Sequence, residues 1–266
     1  MPRHGRIDAA GALHHLIIRG IERKSIFYDD IDKDRFLDRF GTVLTECKAA
    51  SYAFALLSNQ VHLLIRTGSS PVASLMRRLL TGYAVSFNKR HKRSGHLFQN
   101  RYKSILCEED PYLLKLVRYI HLNPLRAGLT EDFSSLSTYP YSGHATIMGK
   151  HQRTWLDAEP ILVRFGQTTE TARHLYETFV KHGITEGRRA DLTGGGLLRS
   201  NKGWRPTKGS EYRKGDERIL GSSTFVLGVL KQAEETWKRS DTSAIDGVNF
   251  ETAVEHVARL FDLTDA

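Results

Sequence analysis

Four polar residues stand where chemistry can be built: Gln60 and His62 on one short strand, and Tyr119 and Asn123 on one helix. In the run from Gln60 to Arg66, alternation puts Val61, Leu63 and Ile65 on one face and Gln60, His62 and Leu64 on the other. The odd-numbered face is expected to pack on helices. Gln60 and His62 then point together to the opposite side, where two donors can converge on a cation. A lone histidine in an apolar strand is more often structural, so the strand by itself leaves both roles open. Further on, Asp110-Pro111 opens a helix with Leu113, Leu116, Val117 and Ile120 as its buried stripe. Tyr119 and Asn123, four residues apart, are neighbours on its surface. Pro124 disfavours helical geometry at Asn123, which places that amide at the helix end, free to reach outward. A tyrosine packed by its ring with a wet hydroxyl would show the same spacing.

The charge around these positions is one-sided. The chain has 266 residues and a formal charge of +9, and residues 1–150 carry all of that excess. From Cys47 to Cys107 there is no Asp or Glu, while Lys48, Arg66, Arg77, Arg78, Lys89, Arg90, Lys92, Arg93, Arg101 and Lys103 all occur. A folded segment with such a field attracts a polyanion, nucleic acid first. Within it, Lys89 to Lys103 interleaves cations with His91, His96, Phe98 and Tyr102, which suits a phosphate backbone with bases to stack upon. A solvated helix end is the plainer alternative. Charge does not separate DNA from RNA.

Several classes are excluded. No run approaches the roughly 18 to 20 apolar residues of a membrane span, and no signal peptide is evident, so a cytoplasmic protein is expected. Cys47 and Cys107 are the sole cysteines and read as small buried hydrophobes. There is no His-Glu-x-x-His, no Gly-x-Ser-x-Gly elbow, and Gly194-Gly195-Gly196 lacks the Lys-Ser/Thr of a phosphate loop.

The elements that must position these residues read in order. A strand over Leu13–Arg19 is followed by a helix opened by Asp29-Asp30-Ile31-Asp32, strands over Tyr52–Leu57 and Val61–Arg66, and a helix from Ser70-Pro71 to Lys92-Arg93. A fourth strand over Leu97–Leu106 then leads into the tyrosine helix. This order predicts an α+β domain of the ferredoxin-like, split βαβ kind over residues 1–150, with a mainly antiparallel sheet and the tyrosine helix added. A helical extension over 151–186, a Gly-rich basic linker over 187–216 and a small helical segment over 217–266 are expected beyond it. The last would contain helices at Thr224–Arg239 and Phe250–Asp262.

Taken in order, three segments resemble the single-tyrosine HUH transposases of the insertion-sequence type, most closely their REP-associated tyrosine transposase branch. They are Leu57 to Ile65, Gly95 to Ser104 and Val117 to Leu129, and the similarity spans about residues 1–145. The resemblance implies that Tyr119 is the nucleophile, that His62 and Asn123 are ligands of a divalent cation, Mg²⁺ or Mn²⁺, and that Gln60 stands where the family has its other histidine. An amide oxygen still suits such oxygen-preferring ions, though it is a weaker donor than imidazole to transition metals. It further implies single-stranded or hairpin DNA of the repeated extragenic palindrome kind as partner. Cleavage and rejoining would pass through a 5′-phosphotyrosine, with Arg66, Arg77, Arg78, Lys89, Arg90, Lys92, Arg93, His96, Arg101 and Lys103 holding the backbone. Relatives include dimers that exchange the tyrosine helix, so either a monomer or a homodimer fits. The substitution at Gln60 leaves a second reading, a hairpin or single-strand binding protein of regulatory role whose cleavage is impaired.

Overall fold

The computed structural model describes residues 7–8, 10–187, 189–193 and 216–246. Its elements are β1 (Leu13–Arg19), α1 (Asp30–Glu46), β2 (Ala50–Leu56), β3 (Gln60–Arg66), α2 (Val72–Arg90), β4 (Lys103–Cys107) and α3 (Glu109–His121). After these come α4 (Asn123–Arg126), α5 (Phe133–Thr138), α6 (Gly143–Ile147), α7 (Glu159–Leu162), α8 (Thr169–His182), β5 (Ile219–Leu220) and α9 (Ser223–Asp246). The strands form one sheet in the order β2-β3-β1-β4-β5, antiparallel throughout except for β4 and β5. The α+β class and the split arrangement are thus present, with a short parallel edge strand added from a segment read as wholly helical. Two residues carry no periodicity, so β5 leaves no trace in the sequence. The expected helix at Phe250–Asp262 and most of the expected linker lie outside the described residues.

Local chemistry explains the boundaries. Asp29 caps α1 by accepting from the Asp32 N–H at 3.0 Å. The fourth strand is shorter than expected because Asn100 takes φ of 57°, a left-handed turn that an extended strand cannot hold. Upstream of it, Phe98 still bridges to Gly20. At the other end of the tyrosine helix the chain does not leave helical geometry at Asn123. The turn α4 follows directly, and Pro124 is tolerated in its first turn because an N–H there has no partner to lose.

Both faces of the sheet are covered, and β3 is buried along its length apart from its two ends. α1 packs on β2 and α2 on α1, while α3 lies over β2 and β3. The face bearing His62 is therefore roofed by the tyrosine helix rather than left without a helix. One apolar core runs from Leu13 through Ile120 to Ile161, Tyr176, Val180, Leu192 and Leu220. Among the described residues no helix is long and apolar enough to cross a membrane.

Candidate nucleic-acid cleavage site

The register of the sheet assembles the floor of the site. Ile17 pairs with His62 on one side and with Lys103 on the other, and Arg19 pairs with Gln60. Residues opposed across strands share a face, so Arg19, Gln60, His62 and Lys103 project together. The roof comes from α3 and α4, which supply Tyr119, Asn123 and Arg126. All of these line one cleft of about 1100 Å³. Its other charged residues are Arg23 and Arg189, and among the described residues no Asp or Glu lines it. Arg189 is paired with Asp191 at 2.7 Å and with Glu186 at 2.5 Å, so the positive field of the cavity comes mainly from Arg19, Arg23, Lys103 and Arg126, and that field suits phosphates.

Tyr119 and His62 meet within one chain. The tyrosine ring lies edge-on to His62 with centroids 6.0 Å apart, and edge-on to His15 at the same distance. His15 Nε2 is 3.2 Å from His62 Nδ1, and the two rings stack at 5.5 Å. Burial pushes His15 down to about 4 and holds His62 well below the ordinary histidine range, where His15 also contributes. Both are neutral near pH 7. The Arg126 guanidinium sits 5.6 Å from the Tyr119 ring centroid and donates from Nη2 to the Gly183 carbonyl at 3.1 Å. The helix carrying the tyrosine is itself clamped. Arg118 pairs with Glu186 and lies 4.5 Å over the Phe179 ring, and His121 Nδ1 is 2.6 Å from the Tyr176 hydroxyl.

The donors fit an oxygen-preferring divalent cation. His62 can offer one ring nitrogen, and Gln60 and Asn123 one amide oxygen each. Asn123 is buried, and its Nδ2 has no hydrogen-bond partner. An amide whose nitrogen finds no acceptor is satisfied when its oxygen faces a cation instead, and the two atoms exchange by a flip. Among the described residues no three His, Cys, Asp or Glu gather to hold a metal by themselves. A set of neutral ligands leaves most of the ion's charge for a bound anion to balance.

Of the ten cations expected to hold DNA, Lys103 lies in the cleft. Arg77, Lys89, Lys92, His96 and Arg101 are exposed elsewhere, and Arg93 stacks 5.7 Å from the Phe87 ring. Arg66 pairs with Glu109 and Arg78 with Glu46. Arg90 is gripped by Asp29 at 2.6 Å and by Asp32 at 2.6 Å. Asp32 is 1% exposed, so Arg90 holds a buried carboxylate. Arg90→Ala is expected to lower the urea midpoint, because Asp32 then keeps only His91 Nε2 at 2.9 Å and the Tyr28 N–H at 2.9 Å as partners. A variant equal in stability to wild type would contradict this.

Sequence reasoning passed over His15, Arg19, Arg23, Arg126 and Arg189. For Arg126 the signal existed: it is seven residues beyond Tyr119 and three beyond Asn123, hence on their helical face. For His15 alternation gives the face, but its neighbour follows only from pairing β1 with β3.

Residues 10–123 match the family model described as "Transposase IS200 like". A REP-associated tyrosine transposase bound to a REP hairpin superposes with a TM-score of 0.46 and 15% identity, over 59% of this chain and 98% of that one. A Deinococcus radiodurans R1 protein assigned as a transposase superposes with a TM-score of 0.32 and 18% identity, over 42% of this chain and 91% of that one. No curated protein matches the chain. The segment from residue 10 to residue 123, which supplies β1 to β4, Tyr119, the strand of His62 and the donor at Asn123, is the part of the chain that is similar to the IS200-like transposases.

Proposed function

We propose that the protein binds single-stranded or hairpin DNA and cleaves and rejoins it through Tyr119. The observation that carries this reading is the one cleft that a tyrosine, three neutral cation donors and the positive side chains Arg19, Arg23, Lys103 and Arg126 line together, with no Asp or Glu lining it among the described residues. Arg19, Arg23, Lys103 and Arg126 would hold backbone phosphates on either side of the scissile one. Gln60, His62 and Asn123 would hold Mg²⁺ or Mn²⁺, which when bound polarises the scissile phosphate. The Tyr119 oxygen then bonds to phosphorus while the bond to the 3′ oxygen breaks. A 5′-phosphotyrosine and a 3′-hydroxyl result, the phenol's proton passing to the leaving oxygen through solvent. One ester replaces another, so the linkage stays reactive toward the 3′-hydroxyl of a second strand.

The test is incubation with a hairpin oligonucleotide carrying single-stranded flanks, with Mn²⁺ or with EDTA, followed by a denaturing gel. A protein–DNA adduct that needs the metal is expected. Gln60→His should raise the amount formed at limiting metal, because imidazole is the stronger donor to Mn²⁺. An adduct that forms equally in EDTA contradicts the cation site. No adduct with wild type, but one with Gln60→His, would favour a hairpin-binding protein whose cleavage is impaired.

A further inference from the structure

We infer that Asn59 is a positioning residue for Arg23: its side-chain amide holds a left-handed turn that places the Arg23 guanidinium in the cleft. The inference deepens the reading of the cleft as a site for DNA phosphates and rests on it. Arg23 stands between two other charged residues, Glu22 and Lys24, and of the three it alone lines the cleft. What selects it is the backbone.

The turn lies between β1 and α1. Ile21–Arg23 is a single 3₁₀ turn in which Glu22 has φ of 52° and ψ of 25° and Arg23 has φ of 60°. Neither is glycine, and in the left-handed region Cβ crowds its own backbone, so two such residues in succession relax unless something outside them holds. Most of the outside anchors sit at the ends of the turn. The Gly20 N–H donates to the Asn59 carbonyl at 2.9 Å, the Ile21 N–H to the Leu97 carbonyl at 3.0 Å, and the Ile26 N–H to the Ser58 carbonyl at 2.9 Å. The Asn59 side chain grips the strained pair itself, since its Nδ2 donates to the Arg23 carbonyl at 2.9 Å. A carbonyl can only accept, which fixes the orientation of that amide. Gly20 completes the turn: a Cβ there would lie 2.1 Å from the Lys24 carbonyl oxygen, so the chain closes onto bare backbone.

The turn sorts charge. Lys24 Nζ pairs with Glu22 at 2.6 Å, and both side chains are exposed and outside the cleft lining. Arg23 has no carboxylate partner among the described residues. Released from the left-handed region, residues 22 and 23 would send their side chains in other directions. An arginine held in this way loses less freedom on meeting a phosphate than one on a loose loop. Asn59 also precedes Gln60, which pairs with Arg19 across β1 and β3. One hairpin turn therefore sets both a proposed cation donor and the arginine in the same cleft.

The experiment compares wild type, Asn59→Ala, Arg23→Ala and the double variant for binding of a hairpin oligonucleotide with single-stranded flanks, by fluorescence anisotropy. EDTA is present throughout, so a disturbance of the neighbouring Gln60 cannot act through a cation. Each single variant is expected to bind roughly tenfold more weakly, as for one lost charge-assisted contact, and to lose about 0.7 to 0.9 from the salt slope. The double variant should match Arg23→Ala, because Asn59 then has nothing left to position. Losses that multiply, or either single variant binding like wild type, overturn the inference. A second measurement reads φ at residues 22 and 23 without DNA, from three-bond HN–Hα couplings and backbone chemical shifts in NMR. Wild type is expected at positive φ and Asn59→Ala at negative φ. Negative φ in wild type overturns the inference and needs no variant to fold. Positive φ in wild type that is lost in Asn59→Ala, together with no affinity for hairpin DNA, supports the positioning and counts against DNA as the occupant of the cleft.

Discussion

Tyr119→Phe is expected to lose the covalent DNA adduct completely while binding a hairpin oligonucleotide within about threefold of wild type. The phenolic oxygen is the nucleophile in the proposed reaction, and the nearby imidazoles and thiols do not replace it. His15 and His62 are buried and committed to each other, and Cys47 and Cys107 are buried and do not line the cleft. Affinity should survive because it comes from charge. Arg19, Arg23, Lys103, Arg126 and Arg189 remain in place, and the ring that packs edge-on to the two imidazoles is kept by phenylalanine. The fold should also survive, since Arg118 and His121 clamp α3 from either side of the tyrosine. The measurements are adduct yield on a denaturing gel and Kd by fluorescence anisotropy at two salt concentrations. Phosphate contacts released by counterions give a steep salt slope, and that slope should be the same in both proteins. An adduct that persists in Tyr119→Phe would remove the nucleophile assignment. A Kd raised a hundredfold would show that the hydroxyl serves binding instead.

The parts of this site that the sequence displays are those fixed by one element's own period. Gln60 and His62 share a strand face by alternation, and Tyr119 and Asn123 share a helix face by four-residue spacing, so each pair was legible before any tertiary contact was known. What was hidden depends on pairing between distant segments. His15 reaches His62 through a register that brings together positions 47 apart in sequence. The acid-free run from Cys47 to Cys107 looked like an open basic surface, yet α1 lays Asp29, Asp32 and Glu46 against Arg90 and Arg78. Linear charge density says nothing about which acids fold onto it. The cleft cations show the complement: Arg19 with Arg23, Lys103, and Arg126 lie in three separate stretches and become one cluster through the sheet and the tyrosine helix. Residues 151–186 read as a helical extension and 187–216 as a linker; Tyr176 and Val180 of the first and Leu192 of the second belong to the main core, and Ile184, Gly187 and Arg189 line the cleft.

Acid should unfold this protein at a pH above the range where carboxylates titrate. Between α3, α6 and α8 lies a buried polar cluster in which the Tyr176 hydroxyl is 2.6 Å from His121 Nδ1 and 3.3 Å from His144 Nδ1. No carboxylate takes part in these hydrogen bonds, so nothing there compensates a protonated ring. Burial lowers His144 to about 4, and it holds His121 well below its ordinary value with His144 adding to the effect. The sign follows from which state binds the proton. In the unfolded chain these rings protonate near pH 6.5, while in the folded chain they stay neutral until much lower pH. Stability is therefore complete above about pH 6.5 and falls as pH drops toward 4, because the unfolded state gains protons the folded state refuses. A shift from 6.5 to about 4 at His144 alone removes roughly 3 kcal/mol over that interval, at about 1.4 kcal/mol per pH unit. That is a large part of the 5 to 15 kcal/mol typical of a folded domain, and His121 adds to it. Urea midpoints at pH 7.5, 6.0 and 5.0 should decline in sequence. His144→Gln, which cannot titrate, should make the decline shallower whatever it does to stability at pH 7.5. Midpoints that stay level from pH 7.5 to 5.0 would mean that these rings are protonated in the folded state. In that case the polar cluster beneath the tyrosine helix would be open to water rather than sealed by α6 and α8.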